Sequence, residues 1–136
     1  MYEMIVNTLM LLSSPLLPSP KLFQPTTIEF HGNLEVETLK LAIEHVVKQQ
    51  GGLRTIVRFD MTENKVMQTV LPEDRAHECL EFVEMQASDD EDARLIIEKQ
   101  SGFMFDLTKP PVIRAVLVKT PNSYLLLLNQ HVSLVL

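Results

Sequence analysis

Two apolar runs in the last third of the chain constrain the fold more than any other feature. Residues 112–119 and 124–129 are largely aliphatic, and Thr120-Pro121-Asn122-Ser123 lies between them. Turn-forming residues between two strand-like runs predict a β-hairpin. Runs of this kind are typical of strands that are buried on both faces, and His131 lies two residues after the second one.

Hydrophobic periodicity before this hairpin predicts further strands and helices. Val36, Leu39, Ile43 and Val46 recur at three- and four-residue steps, as on one face of an amphipathic helix. The predicted strands are 26–31, 53–59, 66–71, 80–84, 112–119 and 124–129, and the predicted helices are 34–50 and 88–100. Thr62-Glu63-Asn64-Lys65 lies between the second and third strands, which predicts a second hairpin. This order predicts an α+β fold, in which a mixed sheet holds the first strand and the C-terminal hairpin, with both helices packed on one face.

The ends of the two helices carry recognisable signals. Gly51-Gly52 follows the first helix, and a glycine there is expected to end it in the left-handed conformation. Ser88-Asp89-Asp90-Glu91 has the spacing of a capping box, with Ser88 as the expected N-cap of the second helix.

Composition limits the class of protein. A length of 136 residues with 46% hydrophobic content fits one packed domain, and we separate a Pro- and Ser-rich segment at 1–23 from a domain at 24–136. The net charge of −6 and the lack of a Lys/Arg cluster argue against nucleic-acid binding. Residues 4–12 are apolar, but this run is too short to span a membrane. A secretory signal begins with positively charged residues, whereas this chain has no Lys or Arg before Lys21. The single cysteine predicts a cytoplasmic protein.

His131 is the candidate for acyl-transfer chemistry. An imidazole at the end of a buried strand can be held in a dry pocket and accept a proton. The structural alternative is a histidine that closes the strand and bonds to the backbone, and the residues alone favour this alternative. Cys79 lies two residues from His77, a spacing that would suit a nucleophile with its base or half of a metal site. A single cysteine is more often a small buried hydrophobic residue, so we favour that role and expect no metal.

Three short segments together resemble a known family. They are Leu53-Arg54-Thr55, Phe105-Asp106-Leu107 and Pro111-Val112-Ile113-Arg114-Ala115, followed by an apolar strand and His131. In this order they resemble the N-terminal lobe of the condensation domains of nonribosomal peptide synthetases, which belong to the chloramphenicol-acetyltransferase-like acyltransferase superfamily of secondary metabolite biosynthesis. The chain is too short for a whole domain of this family, so we expect an incomplete lobe.

The resemblance implies a reaction and its partners. Condensation domains form an amide bond between thioester-bound acyl groups, whose phosphopantetheine arms are supplied by carrier protein domains. The implied partners are therefore carrier proteins and a second acyltransferase-like lobe, with no cofactor or metal of the chain's own. His131 matches the second histidine of the family's His-His-x-x-x-Asp-Gly motif and is expected at the open edge of the lobe, where the partner lobe docks.

The same comparison assigns the remaining site residues and shows where the chain departs from the family. Gln130 replaces the first histidine, Val135 and Leu136 replace the aspartate and glycine, and Gln49 replaces the arginine that pairs with that aspartate. We expect Arg54 to donate hydrogen bonds to carbonyls or a carboxylate. Asp106 is expected to cap a turn and to pair with Arg114.

These departures leave alternatives to a working enzyme. The chain alone is expected to be inactive. It could instead be a non-catalytic docking or structural remnant, or part of an acyl-CoA-dependent O-acyltransferase that presents an alcohol to the same histidine.

Overall fold

A mixed four-stranded sheet forms the centre of the fold. In a computed structural model, residues 23–131 are described, with side chains for residues 25–130. The sheet contains β1 (Phe23–His31), β4 (Leu80–Gln86), β5 (Ile113–Lys119) and β6 (Ser123–His131). The strand order is β1-β6-β5-β4, with β4 parallel to β5 and the other pairs antiparallel. The predicted mixed sheet of an α+β fold is therefore confirmed, and the C-terminal hairpin lies at its centre.

Two longer helices and three short helical segments lie between the strands of the described chain. Helix α1 spans Val36–Gln49, the single turn α2 spans Ala76–Cys79 and helix α3 spans Asp90–Gln100, while 3₁₀ turns span Gly51–Arg54 and Glu73–Arg75. None of the helices in residues 23–131 is long and apolar enough to cross a membrane.

The two longer helices lie on opposite faces of the sheet, so the prediction that both pack on one face was wrong. Ile113, Ala115 and Leu117 of β5 belong to the same core cluster as α1, whereas Val116 and Val118 pack with α3. All residues from 112 to 118 are buried. A strand that is apolar on both faces needs a covering layer on each, and the crossover between the parallel strands β4 and β5 supplies the second.

A second, two-stranded sheet confirms the other predicted hairpin. Strands β2 (Thr55–Asp60) and β3 (Lys65–Val70) pair antiparallel, and the turn between them contains Asn64 at φ 55°. The Asp60 carboxylate accepts hydrogen bonds from the backbone N–H groups of Thr62 and Glu63 at 3.0 and 3.3 Å. Asn tolerates the left-handed region better than most residues, which suits this turn.

Both helix-end predictions need correction. Helix α1 ends before the glycines, with Gln50 extended, and Gly51 begins a 3₁₀ turn without a positive φ. The N-cap of α3 is Asp89 instead of Ser88, and its carboxylate accepts from the Asp92 N–H at 2.8 Å. Asp92 in turn accepts from the Ser88 N–H at 2.9 Å. Aspartate caps as well as serine does, so the cap lies one residue later than the sequence pattern indicates, and the Asp92 carboxylate binds the N–H of the residue before the cap.

We predict that Leu39→Ala lowers the free energy of unfolding by about 2–5 kcal/mol, because it leaves a cavity between α1 and the sheet. Leu39 is 0% exposed. Urea denaturation followed by circular dichroism measures the change. Leu41→Ala is the matched control on the same helix, where Leu41 is 56% exposed, and should change stability by less than about 0.5 kcal/mol. Equal losses in the two variants would contradict the assigned inner face of α1.

Candidate functional site

His131 ends the inner strand β6, which pairs with β1 on one side and β5 on the other. Its Cα partner in β1 is Phe23, while Gln130 lies opposite both Gln24 and Ile113. The hydrogen-bonded ladders therefore hold the backbone on both sides up to the candidate residue. The side chain of His131, and with it the predicted exposure at the lobe edge, lies outside the described residues, as do Ser133, Val135 and Leu136.

Arg114 forms a buried polar cluster on the face of the sheet that carries α3. It is 8% exposed and lies opposite Asn129 in the register. Its Nη1 donates to Gln100 Oε1 at 2.6 Å, its Nε lies 3.4 Å from Glu81 Oε2, and its guanidinium carbon lies 4.5 Å from the centre of the Phe103 ring. The contact with Glu81 is an ion pair without hydrogen-bond geometry, since Nε has no hydrogen-bond partner. The buried guanidinium of Arg114 thus has the opposite charge of Glu81 nearby and lies within cation–π distance of Phe103.

Gln100 links this cluster to the strand that carries His131. It is the last residue of α3, and its carbonyl accepts a hydrogen bond from Asn129 Nδ2 at 2.8 Å. The helix end is therefore joined to β6 two residues before His131, and one of its open carbonyls is satisfied. The sequence interpretation missed Glu81, Gln100, Phe103 and Asn129. The available signal was an arginine inside a buried run, which requires polar partners nearby.

Asp106 caps its turn as predicted, but the expected pair with Arg114 was wrong. Its Oδ1 accepts from the Thr108 hydroxyl at 2.6 Å and from the Thr108 N–H at 3.0 Å, and Oδ2 lies 3.9 Å from Lys109 Nζ. The hydrogen bonds from Thr108 hold the pKa of the Asp106 carboxyl below its ordinary value. An aspartate in such a turn bonds to its own segment first, which leaves Arg114 to the residues of β4 and α3.

Arg54 donates to backbone carbonyls, which is one of the two predicted roles. Its Nε donates to Leu71 O at 2.9 Å, and its Nη1 donates to Val47 O at 2.7 Å and to Lys48 O at 2.6 Å. The side chain is 8% exposed, so it joins the C-terminal end of α1 to the end of β3 within the protein. Gln49, which replaces the family arginine nearby, is exposed.

Cys79 is the small buried hydrophobe that the sequence favours. It is 0% exposed, and its Sγ lies 3.6 Å from the Arg75 carbonyl oxygen. Burial raises the pKa of the thiol, which disfavours the thiolate needed in a nucleophile. No group of three or more potential metal ligands occurs in the part of the chain that the structure describes.

We predict that Arg54→Met lowers the free energy of unfolding by about 3 kcal/mol, because three carbonyls lose a charged donor. Chemical denaturation measures this change. Arg58→Met is the control, since Arg58 is an exposed residue of the adjoining strand and should change stability by less than about 0.5 kcal/mol. A loss for Arg54→Met no larger than the control would show that these hydrogen bonds add nothing to folding.

We also predict that Cys79 reacts with an uncharged maleimide at pH 8 at least about 10³-fold more slowly in the native protein than in urea. Reaction of a buried thiol requires unfolding, which costs at least about 5 kcal/mol in a typical domain. Mass spectrometry of the modified protein measures the rate. Comparable rates in both states would contradict the burial of Cys79.

We compared the chain with protein-family models, with known protein sequences and with solved structures. The family model described as Condensation domain matches residues 13–132. A polyketide synthase-nonribosomal peptide synthetase of Aspergillus clavatus is 31% identical over 117 residues, which are 85% of this chain and 3% of that protein.

Solved structures agree on the fold. The condensation domain of the monacolin K polyketide synthase MokA has a TM-score of 0.68 at 15% identity, over 81% of this chain and 24% of that chain. The X-domain from teicoplanin biosynthesis has a TM-score of 0.67 at 20% identity, over 93% of this chain and 26% of that chain. The chain thus spans about a quarter of those structures. Since the family model covers most of the sequence, the chain belongs to the condensation-domain family.

Proposed function

We propose that this chain forms the N-terminal lobe of a condensation domain that joins two acyl groups held as thioesters on carrier proteins. The observation that carries the proposal is the family match over residues 13–132, which includes His131 and the segments around Arg54 and Arg114. The carriers would supply the phosphopantetheine arms, and a second lobe would close the channel. The lobe itself would use no cofactor or metal.

His131 would act as the proton acceptor in this reaction. The acceptor amine attacks the thioester carbonyl, the new C–N bond forms, the C–S bond breaks, and the amine proton passes through imidazole to the leaving thiolate. The pKa of imidazole is about 6.5 and that of an α-ammonium group about 8, so the transfer is well matched. The paired backbone of β6 and the bond from Asn129 to the end of α3 support a fixed position for this residue.

The departures from the family favour a second candidate function, a non-catalytic structural or docking lobe. Gln130 replaces a histidine beside His131, and Gln49 and Val135 together replace both members of the family's ion pair. Loss of both partners of a buried ion pair can be nearly neutral for folding, whereas loss of one leaves an uncompensated charge. The fold would thus persist while the orientation of His131 changes.

We propose a cytoplasmic location for this lobe, because its one cysteine is free and buried and cannot form an internal disulfide.

We predict that the chain alone gives no amide product from loaded donor and acceptor carriers. Histidine proton transfer contributes about 10²–10⁴-fold, and the rest of the acceleration requires both lobes to hold the reactants together. Mass spectrometry of the carriers measures the product against a reaction without the chain. Product above that background, lost in His131→Ala, would show that one lobe suffices.

We predict that the chain supports amide formation when it replaces the matching segment of the condensation domain from the Aspergillus clavatus relative. His131→Ala in this chimera should then lower the rate about 10²–10⁴-fold. His31→Ala is the matched control, since His31 is an exposed strand residue paired with Glu29, and it should leave the rate unchanged. Equal rates for both variants, or an inactive chimera that folds, would favour the non-catalytic lobe.

A further inference from the structure

The hairpin β2–β3 presents an apolar surface to solvent. Phe59 and Val66 are directly opposed across the two strands, and opposed residues of an antiparallel pair lie on the same face. Val70 lies four residues beyond Val66 and therefore shares this face. The three side chains are 50%, 59% and 51% exposed, respectively. We call Phe59, Val66 and Val70 the hairpin face.

A two-stranded sheet is only marginally stable and needs cover on one face, and here Ile56 on the opposite face packs against the main core, which leaves the hairpin face open. Hydrogen bonds join the hairpin to the rest of the protein near the start of β2 and the end of β3. Arg54 binds the Leu71 carbonyl there, and the Val57 N–H donates to Leu107 O at 2.7 Å. Farther out, Met61 in the turn is 82% exposed. Several exposed apolar side chains on one hairpin indicate an interaction surface.

We infer that the hairpin face is a docking surface for the rest of the condensation domain, the second lobe. This inference rests on the proposed function and names where the partner lobe binds. The chain spans 24% of the MokA condensation domain and 26% of the X-domain structure, so most of a complete domain is available to cover this face. The surface of the second lobe that contacts the hairpin face should be aliphatic or aromatic. It should carry polar groups opposite Asp60 and Lys65 at the rim of the hairpin.

A second copy of this chain fits the same surface less well. The chain has a net charge of −6, so two copies of it repel each other. An apolar face of one sheet is also most often covered by another layer of the same domain.

Cysteine labelling tests the inference in the chimera with the condensation domain of the relative. Val66→Cys places a thiol on the hairpin face, and Thr69→Cys places one on the opposite face of the same strand, at a residue that is exposed. Buried Cys79 reports folding in both. The maleimide rate at residue 66 should fall at least about tenfold from the free chain to the chimera, while the rate at residue 69 stays the same. Equal rates at residue 66 in both folded proteins would overturn the inference.

Protection of residue 66 in the free chain that increases with its concentration would assign the face to a second copy and also overturn it. Amide formation by the chimera is measured in a separate experiment. A protected residue 66 in an inactive chimera contradicts the proposed function alone, and an unprotected residue 66 in an active chimera contradicts this inference alone.

Thermal unfolding of the free chain gives a second test. Phe59→Ser should shift Tm by less than about 4 °C, because the ring is already half exposed. Phe105→Ser is the matched buried control and should lower Tm by more than about 10 °C. A comparable drop for Phe59→Ser would show that the hairpin face is packed within the chain, and would overturn the proposal.

Discussion

The burial of strand β5 on both faces is the constraint on which the rest of the fold depends. Its alternate residues face α1 on one side and α3 on the other, and its two edges pair with β4 and β6. The parallel pairing with β4 requires a crossover connection, and α3 is that connection. Removal of either helix layer would expose half of the strand to water. The position of β6, and therefore of His131, follows from this packing because β6 pairs along the whole of β5.

Two buried arginines hold the ends of the elements around this core by different means. Arg54 bonds to three carbonyls and closes the junction of α1 with the small hairpin. Arg114 combines an ion pair, an amide partner and an aromatic ring at the junction of β4, α3 and β5. Each satisfies polar groups that would otherwise be costly to bury. Both therefore belong to the scaffold around the candidate site.

The comparison with known proteins establishes the family of this chain, whereas its activity depends on particular residues. Family membership follows from the match along most of the chain, but the same fold occurs in structures described as a condensation domain, an epimerization domain and an X-domain. A fold shared in this way does not determine the chemistry, which depends on the residues of the site. In this chain, Gln130 beside His131 is the departure that bears on the proposed reaction.

Local signals in the sequence determined the elements of this protein, since periodicity and turn chemistry act over a few residues. They predicted both hairpins, α1, the mixed sheet and the buried character of Cys79, and the family segments identified His131. Tertiary structure decided that α3 covers the opposite face, that Arg114 binds Glu81 and Gln100 instead of Asp106, and that Asn129 joins β6 to α3. These outcomes depend on residues distant in the sequence, whose meeting is set by strand order and by the need to bury both faces of β5.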